Sequence, residues 1–182
     1  RRMGYLRQEA PVHPERTIAE EIEVALEPYR AVQARITAAE HAMSAAASDD
    51  ALATALEDYT EALDEFESRG GWEIEAEKDS TLMRLGFGPD VLEKQVGACS
   101  GGEQTRLALA KLVLTRPDLL ILDEPTSVLT PQAVEKLFVV LRRLADEGCS
   151  ILYISHKLHE IRALCSHCTV LRGGQVTGVC DP

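Results

Sequence analysis

Two apolar stretches of the chain lead directly to side chains that could handle a phosphate group. Residues 119–122 run into Asp123 and Glu124, and residues 150–154 lead, through one serine, to His156. Such runs are typical of strands buried on both faces of a parallel sheet, whose ligands lie at the carboxyl ends of the strands. There Asp123 could hold Mg²⁺, Glu124 could polarise an attacking water and His156 could contact a terminal phosphate. The pattern predicts phosphate chemistry, with solvated acids at an ordinary strand end as the alternative.

A second candidate phosphate site is the segment Ser100, Gly101, Gly102 and Glu103. Ser100 and Glu103 have the spacing of a capping box, which by itself would explain an ordinary helix start. The two glycines need a further reason, because each costs a helix about 1 kcal/mol relative to alanine. In return, glycine allows close backbone approach to a ligand, and the N–H groups and dipole of a helix N-terminus favour an anion. We therefore expect a phosphate at this helix start.

The elements that position these residues alternate between strand and helix patterns. That alternation predicts an α/β core, and Gly173-Gly174 predicts a hairpin turn near the end of the chain. The predicted strands cover residues 2–6, 119–122, 150–154, 169–171 and 175–179, and predicted helices include residues 72–85, 100–115 and 131–147.

A long helical arm interrupts this core between Thr17 and Gly70. Thr17 and Glu20 have capping-box spacing, and apolar residues then recur in heptads along two segments. The pattern predicts an antiparallel helical hairpin. Acidic residues far outnumber basic ones in it, which favours a solvated face or a protein contact over a grip on RNA. The predicted seam consists of Ile22, Tyr29, Ile36 and Met43 in the first helix and Leu52, Leu56, Tyr59, Leu63 and Phe66 in the second.

Composition narrows the class of protein. The 182 residues are 45% hydrophobic with a net charge of −11 and five scattered cysteines. No apolar run approaches the roughly 18 residues of a membrane span, and no secretory signal pattern opens the chain. We therefore expect a cytoplasmic protein with reduced thiols and without sequence-specific binding of nucleic acid.

The joint order of these segments resembles the ATP-binding-cassette (ABC) superfamily over almost the whole chain. Gln8 resembles the Q-loop glutamine, residues 99–104 the signature motif, residues 119–123 the Walker B strand and residues 127–130 the D-loop. Glu124 resembles the catalytic glutamate and His156 the switch histidine. Two residues depart from the pattern, because Cys99 stands where leucine is usual and Thr130 where many members have aspartate.

The resemblance implies a role for each of these residues and a partner for the chain. Two cassettes would sandwich ATP, so that a second cassette in the same or another chain is the expected partner. The implied catalytic residues are Glu124 and His156, the implied ATP contacts are Gln8, Ser100, Gly101, Gly102 and Glu103, and the implied Mg²⁺ ligands are Asp123 and Gln8.

Two parts of the chain resemble two different subfamilies. Residues 2 to about 126 are similar to the first cassette of ABC-F proteins, which are ribosome-associated translation factors. Residues from about 125 to 181 are similar to the ATPase subunit of nucleoside or sugar importers, which docks a membrane permease. A ribosome and a permease are therefore both candidate partners. The change falls inside residues 122–126, which both groups share, as recombination or a sequence-assembly join would produce.

No Gly-Lys dipeptide occurs in the 182 residues, so the phosphate-binding loop, Gly-x-x-x-x-Gly-Lys-Ser/Thr, is missing. We expect an α/β fold with a partial P-loop-NTPase-type (ABC) parallel sheet, a helical hairpin insertion and no Walker A portion. The expected parts are residues 1–16 and 118–182 for the core, 17–70 for the arm and 71–117 for the signature subdomain. Because the chain opens at Arg1, we also expect coding sequence upstream.

Two functions follow from this interpretation. The first is an ATPase domain that drives a conformational output, although this chain by itself would be inactive. The second is a catalytically inactive ABC-like fragment that acts only as a binding or dimerisation module.

Overall fold

A computed structural model of the protein describes residues 2–6 and 13–182. Strands and helices alternate in it, which confirms the predicted α/β class. The elements are β1 (Met3–Leu6), α1 (Ile18–Ala45), α2 (Asp49–Ser68), α3 (Ile74–Arg84), α4 (Gly101–Leu114), β2 (Leu119–Asp123), α5 (Pro131–Asp146), β3 (Ser150–Ile154), α6 (Leu158–Leu164), β4 (Cys168–Arg172) and β5 (Gln175–Cys180), with short 3₁₀ turns at Pro89–Val91 and Val96–Ala98.

The central sheet has three parallel strands in the order β1-β2-β3. Its packed face carries Leu6, Leu120 and Leu122, which are buried against apolar residues of α4 and α5 such as Leu107 and Leu141. Because side chains of a strand alternate between faces, every second residue of each strand points into this core. The sheet thereby fixes the position of the loop that follows each strand.

The opposite face of the sheet is open, so the prediction that the β2 strand is buried on both faces is wrong. Met3 is 69% exposed, Tyr5 44%, Leu119 36%, Leu152 52% and Ile154 45%. Parallel sheets normally have both faces covered, since their strands are apolar on both sides. Within residues 2–6 and 13–182, no element covers this second face.

We expect this open face to bind the apolar-surface dye ANS, and Leu152→Gln to reduce the dye fluorescence. The free energy of unfolding should change by less than about 0.5 kcal/mol, because Leu152 is half exposed. Val139 on α5 has a similar exposed fraction, 51% against 52%, but lies away from the sheet face. Val139→Gln should therefore leave the dye signal unchanged, and an equal loss in both variants would contradict a binding face on the sheet.

The arm forms the predicted helical hairpin from α1 and α2. The Thr17 hydroxyl accepts a hydrogen bond from Glu20 N at 3.2 Å and the Glu20 carboxylate accepts one from Thr17 N at 2.8 Å, which confirms the capping box. Ser48 caps α2 by a single hydrogen bond, which its hydroxyl accepts from Ala51 N at 3.2 Å. These caps are local and depend only on neighbouring residues.

The seam of the arm differs from the prediction in α2. Leu52 and Leu56 are 45% and 54% exposed, whereas Ala55 and Ala62 are 4% and 0% exposed. Phe66 is buried as predicted, but Ala55 and Ala62 take the places predicted for Leu52 and Tyr59, so the heptad spacing is kept with the buried positions of that row shifted by three residues. Small side chains allow the two helices to approach closely, and the larger leucines remain at the rim.

The C-terminal strands β4 and β5 form the predicted antiparallel hairpin. Gly173 and Gly174 have φ values of 58° and 76°, which two consecutive glycines adopt without strain in a tight hairpin turn. Among the helices of residues 13–182, none combines the length and the apolarity needed to cross a membrane.

Candidate functional site

Glu124 and His156 meet at the carboxyl ends of two neighbouring strands. β2 and β3 pair in a register that sets Asp123 beside Ile154, and Glu124 N donates to the Ile154 carbonyl at 2.9 Å. The His156 Nδ1 atom lies 2.9 Å from Glu124 Oε1, and the two side chains are 69% and 36% exposed. Both side chains are therefore in contact with each other and open to a ligand from solvent.

The backbone of Glu124 is strained. Its φ of 46° lies in the left-handed region, which non-glycine residues rarely adopt. Residues in such conformations cost about 1–3 kcal/mol and persist where the surrounding structure holds them. The neighbouring Pro125 and Thr126 are buried, so the chain is held firmly immediately after the turn. The Glu124 carboxylate that contacts His156 is thus carried by a firmly held turn.

Asp123 is half-buried and ends β2. Mg²⁺ is usually held by one or two carboxylates together with water and substrate phosphates, so a single aspartate at a strand end fits such an ion. Over residues 2–6 and 13–182, no three His, Cys, Asp or Glu side chains form a ready-made metal cluster. Gln8, the second predicted Mg²⁺ ligand and a predicted ATP contact, lies outside the described residues.

The helix start at Ser100 has the predicted capping box. Ser100 Oγ accepts from Glu103 N at 3.3 Å, and Ser100 N donates to Glu103 Oε2 at 2.7 Å. The two glycines have different surroundings. A Cβ atom on Gly102 would lie 2.9 Å from the carbonyl oxygen of Val128, whereas a Cβ on Gly101 would meet nothing within 4 Å. Packing therefore explains Gly102, and Gly101 leaves open space at the exposed helix N-terminus.

The Gly102 contact brings the start of α4 next to residues 127–130, the loop between β2 and α5. Thr130 caps α5 at the end of this loop by accepting from Ala133 N at 3.3 Å. Threonine is a favourable helix cap, as aspartate is, so the departure at Thr130 keeps a capped helix start. The other departure, Cys99, is buried in the core and fills an apolar position; burial raises the pKa of its thiol.

The Glu103 carboxylate makes its hydrogen bonds to other residues of the chain. It accepts from Lys94 Nζ at 2.9 Å and from both the amide and the hydroxyl of Ser100. The hydrogen bond from Lys94, followed by that from the Ser100 amide, lowers the pKa of Glu103 to about 2. Lys94 was not found from the sequence, because it lies nine residues away across a turn. Glu103 thus orders the loop that presents Ser100 and Gly101.

We expect Glu103→Gln to lower the free energy of unfolding by about 1 kcal/mol at pH 7, since glutamine keeps the capping geometry but loses the charge. A carboxyl with a lowered folded-state pKa stabilises the fold fully above its ordinary value of 4.5 and loses that stabilisation as the pH falls towards about 2. Urea unfolding at pH 7, 4 and 3 should show the two proteins converging. An equal difference at all three values would contradict this account.

Sequence reasoning missed a buried cluster behind the Glu124 and His156 contact. Glu160 on α6 is 1% exposed and accepts hydrogen bonds from Thr126, Tyr153 and Ser155. The sequence feature that could have indicated this cluster is Glu160 itself, which follows His156 by four residues and directly precedes the apolar Ile161 in a short helix. A charge next to an apolar residue on a short helix is too common to identify a site without the fold.

The sheet and its strand-end side chains, with a glycine-paired helix start next to the loop after β2, define an ATP-binding-cassette type of ATPase domain. The family model described as ABC transporter matches residues 1–127, which is more than half of the chain. The chain therefore belongs to the ABC transporter family.

Two curated relatives and one solved structure illustrate the similarity. The ribose import ATP-binding protein RbsA of Bacillus licheniformis is 46% identical over 94 residues, 52% of this chain and 19% of the relative. The tylosin resistance ATP-binding protein TlrC of Streptomyces fradiae is 37% identical over 135 residues, 74% of this chain and 25% of the relative. The dimeric structure of a post-hydrolysis state of the ATP-binding cassette MJ0796 bound to ADP and Pi superposes with a TM-score of 0.65 at 19% identity, covering 99% of this chain and 62% of that one.

These comparisons confirm the predicted family and the predicted P-loop-NTPase-type fold. The chain spans about a fifth to a quarter of the length of these curated relatives and under two thirds of the solved cassette. The domain bounds predicted from the sequence and the roles of individual site residues stay predictions.

Proposed function

We propose that this chain supplies the water-activating half of an ATPase site. The observation that carries the proposal is the 2.9 Å contact between His156 Nδ1 and Glu124 Oε1 at the ends of adjacent parallel strands. A carboxylate and an imidazole that touch each other and solvent can share the alignment of one water and one phosphoryl group. That geometry is what hydrolysis of a nucleoside triphosphate requires.

In this proposal Glu124 accepts the proton of the attacking water, and His156 donates a hydrogen bond to the terminal phosphate. The Glu124 carboxylate can only accept, so Nδ1 of His156 is the donor in their contact, and Nε2 donates to the phosphate when the ring is an imidazolium with a proton on both nitrogens. Asp123 would hold Mg²⁺ through water, together with Gln8, and the ion would neutralise charge on the phosphates. The exposed side of Glu124 leaves room for the water that it would activate.

We propose that Ser100 and Gly101 act on ATP held by a second cassette. The support is the exposed N-terminus of α4, where Gly101 leaves free space and the helix dipole favours an anion. The solved cassette with the same fold is described as dimeric and bound to ADP and Pi. Glu103 would contribute by ordering Ser100 through the capping box, and not by touching ATP.

The 182-residue chain is expected to bind ATP with a Kd weaker than micromolar, because it has no Gly-Lys sequence to cradle the phosphates. Equilibrium binding of labelled ATP measures this directly. As a control, a chimaera can join residues 1–182 to the phosphate-binding segment of RbsA, and this chimaera should bind and hydrolyse ATP. Micromolar binding by the unjoined chain would contradict the prediction, and an inactive but folded chimaera would contradict the proposed ATPase function.

We propose that hydrolysis drives either import or an action on the ribosome. The ribose import relative supports a membrane permease as the partner, and the long arm of α1 and α2 supports an ABC-F-like role. Import and an action on the ribosome both place the cassette in the cytoplasm, and import would bring it to the inner face of a membrane. Co-purification with tagged chain separates them, because a permease or a ribosome should be recovered, and not both.

The second candidate is a non-catalytic module that only pairs with another cassette. The missing Gly-Lys sequence favours it. Substitution of Glu124 distinguishes the candidates, because an adaptor would keep its output without this carboxylate.

A further inference from the structure

Glu160 is a buried carboxylate that the proposed chemistry does not use. It lies on α6 with 1% of its surface exposed. Its oxygens accept hydrogen bonds from the hydroxyl groups of Thr126 at 2.7 Å, Tyr153 at 2.7 Å and Ser155 at 3.1 Å. A buried carboxylate is tolerated when such partners satisfy it, and loss of the partners leaves an uncompensated charge.

Lys157 completes the cluster with a positive charge. Its Nζ lies 3.3 Å from Glu160 and donates to the carbonyl and the hydroxyl of Thr126 at 3.2 and 3.1 Å. Burial by itself would raise the pKa of Glu160, but the hydrogen bonds from Tyr153, Thr126 and Lys157 outweigh it and hold that pKa below its ordinary value. Burial, together with Glu160, raises the pKa of Tyr153. Near neutral pH, Glu160 is thus an anionic acceptor and Tyr153 a neutral donor.

The residues that Glu160 holds flank the candidate site on both sides. Thr126 comes two residues after Glu124 in the loop that leaves β2, and Ser155 directly precedes His156 in the loop that leaves β3. One side chain therefore ties the two loops together behind the Glu124 and His156 contact. Such a restraint fits the φ of 46° at Glu124, because a residue in the left-handed region persists where the surrounding structure holds it.

We propose that Glu160 is a positioning residue, which clamps Thr126 and Ser155 so that Glu124 and His156 stay in contact. The relevance of this contact to hydrolysis rests on the proposed function. The positioning itself can be measured on the chain of 182 residues without any nucleotide.

The test is Glu160→Gln, read out by the ¹⁵N and ¹H signals of the His156 imidazole in long-range NMR correlation spectra. Glutamine has the same shape but puts an NH₂ group in place of one accepting oxygen and removes the charge that faces Lys157, so the clamp should loosen. We expect the His156 ring to change from one tautomer, with Nδ1 engaged by Glu124, to a solvent-averaged mixture. The parent signal is assigned with Glu124→Gln, and Glu147→Gln, which changes an exposed glutamate of an Arg143 ion pair, should leave it unchanged.

Unchanged His156 signals in a folded Glu160→Gln protein would overturn the proposal. If circular dichroism shows that this variant does not fold, Thr126→Val and Tyr153→Phe each remove one hydroxyl donor to Glu160 with little change in shape. At least Thr126→Val should then alter the His156 ring signals, and the proposal fails if neither variant does. Glu160→Asp, which keeps the charge, should restore part of the parent signal.

The chimaera with a phosphate-binding segment separates this proposal from the proposed function. We expect Glu160→Gln to lower its kcat by about tenfold with little change in KM, since the residue aligns Glu124 and does not touch ATP. An altered His156 signal with an inactive parent chimaera would contradict the proposed function and leave the clamp supported. A changed KM with an unchanged His156 signal would contradict the clamp alone.

Discussion

Glu124→Gln is expected to lower the kcat for ATP hydrolysis by about 10²–10⁴-fold in the chimaera that carries a phosphate-binding segment. Glutamine has nearly the same shape as glutamate and can still lie beside His156, but it cannot accept a proton from water. The carboxylate is 36% exposed and lies 2.9 Å from His156 Nδ1, so its loss removes a group at the reacting centre and not a packing contact. Steady-state phosphate release measures the effect.

The KM for ATP should change little, because Glu124 is proposed to act on water and not on the bound nucleotide. Glu135→Gln, an exposed change of the same kind on α5, is the matched control and should keep parental turnover. A decrease of less than tenfold for Glu124→Gln in an active chimaera would contradict the proposed role of Glu124 as the base. Comparison of Glu124→Gly with Glu124→Ala adds a stability test, since the glycine protein should be more stable than the alanine protein by about 1–2 kcal/mol if the φ of 46° is strained.

Glu21→Ala is expected to lower the free energy of unfolding by about 3–5 kcal/mol, because it leaves a partly buried lysine without its partner. Glu21 is fully buried near the start of α1, where it contacts Lys111 of α4, whose side chain is 19% exposed. Arg16 lies 3.4 Å from the same carboxylate and His13 N donates to it at 3.2 Å. Burial alone would raise the pKa of Glu21, but the hydrogen bond and charge of Lys111 outweigh burial and lower it. Urea unfolding at pH 7 measures the loss.

The double change Glu21→Leu with Lys111→Met should recover most of that stability, since an apolar pair of similar volume replaces a buried ion pair at little net cost. The exposed pair of Arg143 and Glu147, four residues apart at the C-terminal end of α5, is the control, and Glu147→Ala should cost at most about 1 kcal/mol. Equal losses at both sites would contradict the account based on burial. The buried pair also connects the base of the arm to the helix that begins at Gly101, so the arm and the signature segment are one packed unit.

The sequence by itself determined those features of the protein that depend on neighbouring residues. The capping boxes at Thr17 and Ser100, the hairpin at Gly173-Gly174 and the apolar strand ending in Asp123 are local patterns, and each has the predicted form. Motif order then identified the family, because strand, glycine pair, acidic strand end and histidine follow one another in a fixed series. The order of these segments along the chain is therefore enough to indicate phosphate chemistry.

Only the tertiary structure decided which distant residues touch. The contact of Glu160 with Thr126, the close approach of Val128 to Gly102 and the ion pair of Glu21 with Lys111 join residues that are 26 to 90 positions apart. The shift of the arm seam to Ala55 and Ala62, and the open second face of the sheet, likewise depend on what packs against each side chain. Periodicity shows that a face is apolar, but it does not show which element covers that face. Pairing across such distances is set by the packing of the whole domain, and no local pattern records it.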